Sequence, residues 1–114
     1  MKIDIKKVKI YVFVPEEKVS ELRDAVCHAG AGVIGNYTYC TSSTKVSGTF
    51  KPNDNATPYI GTVNTLDFVE EIKLEFVCDV KNVKNVLKII KDIHPYEEPA
   101  IDIVPILDES CFKK

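Results

Sequence analysis

Several features that are missing or rare in this sequence narrow the function classes open to it. It has no tryptophan, a single arginine (Arg23) and no Cys-x-x-Cys pair among its four cysteines. Its 15 basic residues are outnumbered by 17 acidic ones, so the net charge of −2 predicts no nucleic-acid partner. The missing Cys-x-x-Cys pair argues against a zinc ribbon and a thioredoxin-type site. No apolar run approaches the roughly 18 residues of a membrane span, and no apolar stretch follows the charged N-terminus. We therefore expect a cytoplasmic protein with no nucleic-acid or membrane partner.

The order of predicted elements indicates the fold. At 114 residues and 45% hydrophobic content, one globular domain is expected over residues 1–107, followed by a short charged tail at 108–114. Strands are predicted at 8–14, at 37–44 with a continuation near 49–50, at 71–77 and at 100–104. Helices are predicted from Pro15 to Gly30 and across 83–93, and a long loop covers 52–64. The β-α-β-β-α-β order predicts an α+β, ferredoxin-like sandwich: a four-stranded antiparallel sheet with two helices on one face.

The alternation within the strands predicts which face of the sheet is buried. One phase would line the helix-covered core and comprises Val8, Ile10, Val12, Ile72, Leu74 and Phe76. The other phase carries Tyr11, Phe13 and Val77, which an isolated two-layer sandwich would expose. Contiguous exposed apolar groups mark interfaces, so we expect this face to pack against other subunits. The alternative is that these side chains are scattered singly, or that the loop and tail cover them.

A glycine-rich segment matches a dinucleotide-binding pattern in letters but not in position. Residues 30–35 read Gly-Ala-Gly-Val-Ile-Gly, which fits G-x-G-x-x-G. That fingerprint requires a strand before it and a helix after it, whereas here a helix precedes and a strand follows. The segment therefore predicts a helix cap and a sharp turn. A nest of free N–H groups that cradles an anion is the alternative.

The densest polar cluster, His94-Pro95-Tyr96-Glu97-Glu98-Pro99, joins the second helix to the last strand. An imidazole beside carboxylates suits a divalent metal ion, zinc or copper, or an acid/base pair. One short segment rarely supplies a whole metal site, so His94 and Glu97 would need a further ligand, for example Cys40 or a neighbouring subunit. The alternative is a rigid connector whose His and Tyr make structural hydrogen bonds.

Four motifs in sequence order resemble one known family. They are residues 29–37 (Ala-Gly-Ala-Gly-Val-Ile-Gly-Asn-Tyr), 48–52 (Gly-Thr-Phe-Lys-Pro), 58–61 (Pro-Tyr-Ile-Gly) and 94–99. Together they resemble the YqfO-type domain, which is inserted in Nif-three-like dinuclear-metal proteins and also occurs as a free-standing small protein. The last motif also resembles CutA, and the whole more distantly resembles PII-type signalling proteins. Those relatives assemble as trimers through their sheets, so the resemblance implies a homo-trimer.

Two departures from the family limit what the resemblance implies. Relatives commonly have His where this chain has Val33, so a ligand contributed by that His would be missing here. The two-metal site of the large proteins lies in flanking domains that this chain lacks, so their proposed hydrolase activity does not carry over.

The resemblance implies a non-enzymatic module that binds a small ligand or a divalent cation between subunits. The expected ligand-binding residues are Gly35, Asn36, Thr49, Phe50, Tyr59, Gly61, His94, Tyr96, Glu97 and Glu98. An assembly or docking domain for a larger partner is the alternative function. An acid/base enzyme that uses His94 with Glu97 or Glu98 ranks last, because the sequence shows no nucleophile and no complete ligand set.

Overall fold

The computed structural model describes residues 3–113 and contains four strands and two α-helices. The strands are β1 (Lys7–Val14), β2 (Thr41–Phe50), β3 (Asp67–Asp79) and β4 (Ile101–Ile106). The helices are α1 (Val19–His28) and α2 (Val83–Ile93), each entered through a short 3-10 turn. The sheet order is β2-β3-β1-β4 and every neighbouring pair is antiparallel. This architecture confirms the predicted ferredoxin-like sandwich. Within the described residues, no helix is both long and apolar enough to cross a membrane.

The core lies between the helices and one face of β1 and β3. All six side chains predicted for this face are buried, and they pack with Leu22 and Val26 of α1 and Val86 and Ile90 of α2. Full burial of one such aliphatic side chain contributes about 1.5–3 kcal/mol. The strict alternation of β1, in which every second residue is buried, therefore determines which way the sheet faces.

Both helices end where the sequence predicts. Gly30 has φ +101°, a backbone conformation that residues other than glycine rarely adopt. The last residue of α1, His28, lies two positions before it. His94 is extended (φ −64°, ψ 131°) because the residue before a proline is driven out of the helical region. The end of α2 therefore turns the chain sharply towards β4.

Two strand boundaries differ from the predictions for identifiable reasons. β2 begins at Thr41 rather than at residue 37, because Ile34 and Tyr37 close a tight two-residue turn and Tyr39 has φ +58°. β3 begins at Asp67, four residues before the predicted start, because its first residues pair with the end of β2. We call the paired end of β2 and start of β3 the hairpin arm. No residue from 67 to 71 belongs to the buried core and Phe68 is exposed, so no core pattern marks this start of β3 in the sequence.

The face of the sheet opposite the helices is partly covered. Tyr11, Phe13 and Val77 are each half-buried rather than exposed. The Lys73 ammonium lies 4.6 Å from the centroid of the Tyr11 ring, a cation–π distance. More exposed large apolar side chains lie elsewhere, among them Ile34 (56% exposed) and Tyr37 (75%) at one turn and Phe68 (75%) on the hairpin arm.

The last described residues form a short 3-10 turn, Glu109–Phe112. Asp108 caps it by accepting a hydrogen bond from the Ser110 backbone N–H at 2.9 Å. The Asp108 carboxylate also lies 3.7 Å from the Lys7 ammonium at the start of β1. The ion pair attaches the predicted tail to the start of β1.

Candidate functional site

A cavity of about 350 Å³ lies at the end of the sheet where β2 ends and β3 and β4 begin. We call it the loop cavity, because residues 51–66, which join β2 to β3, form one of its walls. The other walls come from the first residues of β3 and from the segment between α2 and β4. The lining residues are Thr49, Phe50, Lys51, Pro52, Ala56, Pro58, Tyr59, Ile60, Val69, Glu71, Tyr96, Glu97, Glu98 and Ala100.

The loop cavity brings together six of the ten predicted ligand-binding residues from three separate stretches of chain. They are Thr49, Phe50, Tyr59, Tyr96, Glu97 and Glu98. Gly61 and His94 support the cavity without lining it, whereas Gly35 and Asn36 lie elsewhere. The structure therefore joins the second, third and fourth family motifs at one place and leaves the first apart.

A direct contact holds the long loop against the segment that follows α2. The backbone N–H of Thr57 donates to the Glu97 carboxylate, at 2.9 Å to Oε2 and 3.3 Å to Oε1. The rings of Tyr59 and Tyr96 lie beside this contact with centroids 6.0 Å apart. A hydrogen bond to a charged acceptor is stronger than one between neutral groups. The Thr57–Glu97 contact therefore holds two walls of the cavity together, and Glu97 also lines the cavity.

Gly61 shapes the loop through its missing side chain. Its φ is +91°, and a Cβ built there would lie 2.8 and 2.9 Å from two ring atoms of Phe50. Real Cβ atoms do not approach carbon so closely, so the loop passes over the Phe50 ring only because this residue is glycine. Gly61 is therefore a structural residue of the site.

His94 is buried beneath the cavity and makes two hydrogen bonds to the backbone. Nε2 donates to the Phe13 carbonyl oxygen at 2.6 Å, and Nδ1 accepts from the Tyr96 N–H at 3.2 Å. Since a carbonyl only accepts and an amide N–H only donates, these partners select the neutral imidazole tautomer. Burial lowers the pKa of His94, although the Phe13 carbonyl and the Glu71 carboxylate act in the opposite direction. This geometry matches the structural-connector interpretation of the segment.

The Tyr96 ring lies between His94, at a centroid distance of 4.7 Å, and Tyr59. Burial raises the pKa of the Tyr96 phenol well above its usual range, and the neighbouring Glu71 carboxylate raises it further. Glu71 was not among the residues predicted from the sequence. It belongs to the same strand phase as Tyr11 and Phe13, but that phase also carries Lys73 and Glu75, so the sequence pattern offered no signal that singled Glu71 out.

Gly35 and Asn36 lie at the other end of β2 from the loop cavity. β2 has ten residues, so the ends of this strand are about 30 Å apart at 3.3 Å per residue. Within one chain these two residues cannot contact a ligand that touches Phe50. The prediction that they share the site therefore requires a second copy of the chain.

The three predicted metal ligands are not grouped within the chain. Cys40 lies beside Gly32, and its thiol donates weakly to the Thr38 carbonyl at 3.8 Å. Both nitrogens of His94 are already hydrogen-bonded, and Glu97 holds the Thr57 amide. Across residues 3–113, no three His, Cys, Asp or Glu side chains are placed so that they could hold a metal ion.

Comparison with known proteins places the chain among named relatives, although no family model matches it. The GTP cyclohydrolase 1 type 2 homolog of Halalkalibacterium halodurans is 45% identical over 101 residues, which are 89% of this chain and 27% of that protein. The crystal structure of a Bacillus cereus protein related to NIF3 superposes with a TM-score of 0.80 at 36% identity, covering 94% of this chain and 27% of that one.

The fold is also that of a smaller, more distant protein. The periplasmic divalent cation tolerance protein CutA of Archaeoglobus fulgidus superposes with a TM-score of 0.68 at 16% identity, covering 93% of this chain and 92% of that one. At this identity the likeness shows the fold alone. The chain spans about 27% of the length of the GTP cyclohydrolase 1 type 2 homologs that it matches. The chain is therefore similar over most of its length to a domain-sized part of the NIF3-related proteins, as the YqfO-type resemblance implies, and it has the CutA-like fold.

Proposed function

We propose that this domain is a non-enzymatic binding module whose loop cavity takes a small ligand. The observation that carries the proposal is the convergence of three separate chain segments on one cavity of about 350 Å³. This volume lies at the lower end of the range for small-molecule sites, about 300–1,000 Å³. The lining combines aromatic rings with carboxylates, the mixture that buries a ligand and also fixes its orientation.

We further propose that the module acts as a homo-oligomer, and the family resemblance implies three copies. The radius of gyration is 16.0 Å, whereas a compact domain of this length has about 13 Å. We attribute the difference to the hairpin arm, where Phe68 is 75% exposed. The turn that contains Ile34 and Tyr37 exposes further apolar side chains. Exposed apolar side chains of this size favour burial against another chain. Packing of that kind could bring Gly35 and Asn36 of one copy to the loop cavity of the next.

A divalent cation is the second candidate ligand, because the CutA protein of A. fulgidus is named for divalent cation tolerance. His94, Glu97 and Cys40 are the proposed ligands for zinc or copper. They would need donors from a second copy and the loss of the hydrogen bonds that now hold His94. Titration of the assembled protein with Zn²⁺ tests this candidate: Cys40→Ser and Glu97→Gln should each weaken binding. Unchanged binding in both variants would exclude this ligand set.

A docking domain for a larger partner is a further candidate, favoured by the exposed Ile34 and Tyr37 at the turn. It predicts an empty loop cavity together with specific capture of a partner that is lost in Tyr37→Ala. The cytoplasmic location stays a prediction, which fractionation of the native cells would test.

The decisive experiment is native mass spectrometry of untreated, untagged protein, which counts subunits and bound passengers together. We expect an oligomer that carries extra mass. Tyr59→Ala should release that mass, because Tyr59 is a wall of the cavity that is 53% exposed and contributes little to the core. The matched control is Phe112→Ala, which removes an exposed aromatic ring (68%) at the far end of β4. A passenger retained in both variants would place its site outside the loop cavity, and an oligomer without any passenger would favour docking.

A further inference from the structure

We propose that the loop cavity is selective for a small organic cation, an alkylammonium or guanidinium compound, over neutral and anionic molecules of the same size. The inference rests on the proposed function, since it names the class of ligand for the same cavity. It is carried by the charges of the lining, by the aromatic rings beside them and by the absence of a metal-binding geometry among residues 3–113.

The charged groups of the lining are predominantly acidic. Three carboxylates, those of Glu71, Glu97 and Glu98, line the cavity, against a single cation, Lys51. Within the described part of the chain, none of these carboxylates lies within salt-bridge distance of a lysine, arginine or histidine. Glu97 is held in place by the Thr57 N–H. These carboxylates would attract a cation that enters the cavity and repel an anion.

The aromatic lining suits the same ligand class. Phe50, Tyr59 and Tyr96 all border the cavity, and the two tyrosine rings are tilted at 45° to each other with centroids 6.0 Å apart. A ring attracts a cation placed over its face, and alkylammonium groups also bury their methylene carbons against it. An organic cation can therefore contact the carboxylates and the ring faces at the same time.

The lining is less suited to a bare divalent ion. Calcium takes six to eight oxygen ligands and magnesium demands near-octahedral geometry. No three metal-ligating side chains converge in residues 3–113, and a cavity of about 350 Å³ exceeds the volume of a single ion. The ring faces would contribute nothing to such an ion's coordination.

Three probes with the same four-carbon chain and one compact cation separate charge from size. The assembled protein is titrated with 1,4-diaminobutane, tetramethylammonium, 1,4-butanediol and succinate, each followed by two-dimensional NMR of the backbone amides. We expect the two cations to shift the amides of Thr57 and Tyr96 with dissociation constants near or below about 1 mM. The diol and succinate should not saturate the shifts at about 10 mM.

Matched variants identify the groups responsible. Glu71→Gln and Glu98→Gln should each weaken diaminobutane binding roughly tenfold, the effect of losing one charge-assisted contact. Asp92→Asn, which removes the same charge from the exposed face of α2, should change it less than about twofold. Tyr59→Leu should weaken binding roughly threefold, whereas Tyr59→Phe keeps the ring face and should match the original protein.

The outcomes distinguish this inference from the proposal on which it rests. Saturable binding of the diol or succinate at the same amides, as tight as that of the diamine, would overturn cation selectivity and leave the cavity as a binding site. Equal weakening by Asp92→Asn and Glu71→Gln would reduce the effect to net charge and overturn the inference too. Amides that no probe shifts would overturn the inference, whereas the proposed binding function would be decided by the passenger seen in native mass spectrometry.

Discussion

The Gly61 crossing over Phe50 makes the most specific prediction about how the loop cavity is built. Replacement of Gly61 by alanine combines a left-handed backbone (φ +91°) with a Cβ placed 2.8–2.9 Å from the Phe50 ring. The backbone conformation alone costs about 1–2 kcal/mol for a residue with a side chain. Overpacking against the ring adds about 1–3 kcal/mol. The expected loss is therefore roughly 2–5 kcal/mol in the free energy of unfolding.

Gly35 provides a matched control within the same chain. It also has a positive φ, +57°, but a Cβ added there meets no atom within 4 Å. Gly35→Ala should therefore cost only the backbone part, about 1–2 kcal/mol. Thermal unfolding followed by circular dichroism measures both, at one fixed protomer concentration, because assembly contributes to the apparent stability. A difference of 1 kcal/mol corresponds to about 5 °C in the midpoint for a domain of this size.

A double-mutant cycle separates the contact with the ring from the backbone effect. In a Phe50→Ala background, Gly61→Ala should cost no more than Gly35→Ala, which gives a coupling energy of about 1–3 kcal/mol. Equal midpoints for Gly61→Ala and Gly35→Ala in the original background, together with zero coupling, would refute the packing of the loop on Phe50.

Three further predictions follow from burial and exposure. Because burial lowers the pKa of His94, the unfolded chain binds a proton more readily, so stability should fall as the pH drops below about 6.5. In His94→Gln that slope should vanish from urea unfolding measured across pH, and a slope that persists would assign it to other groups. Iodoacetamide should label the exposed Cys111 well before Cys27 and Cys78, because burial raises the pKa values of these two thiols. Peptide mass spectrometry gives the order of labelling, and early labelling of Cys78 would contradict its burial in the core. Tyr11→Glu should dissociate the oligomer in native mass spectrometry if the open face of the sheet is the interface, whereas Tyr11→Phe should leave it intact, and an unchanged mass in both would exclude that interface.

Local patterns in the sequence were sufficient for the fold. The alternation in β1 predicted the buried set of that strand, and Gly30 and Pro95 marked the ends of the two helices. The start of β3 was predicted too late because the first residues of that strand contribute no side chain to the buried core. Without a buried face, its residues carry no alternation that a reader of the sequence could recognise.

The candidate site was predicted only in part, for a related reason. Three of the four family motifs meet at the loop cavity, but Glu71 belongs to no motif and joins them only through strand pairing. Gly35 and Asn36 were grouped with the other motifs, yet the length of β2 separates them from the cavity within one chain.

The element order, the buried face and the chemistry-bearing residues can be recognised in the sequence, because periodicity, proline and glycine act over a few neighbouring positions. The folded structure was needed to show that His94 is a neutral structural group, because its partners are the carbonyl of Phe13, 81 positions away, and the amide of Tyr96. It also decided that Glu97 meets Thr57 across 40 positions to close a cavity. Hydrogen bonds and cavities are formed by atoms that folding brings together, so residue types can suggest such a site but only packing can build it.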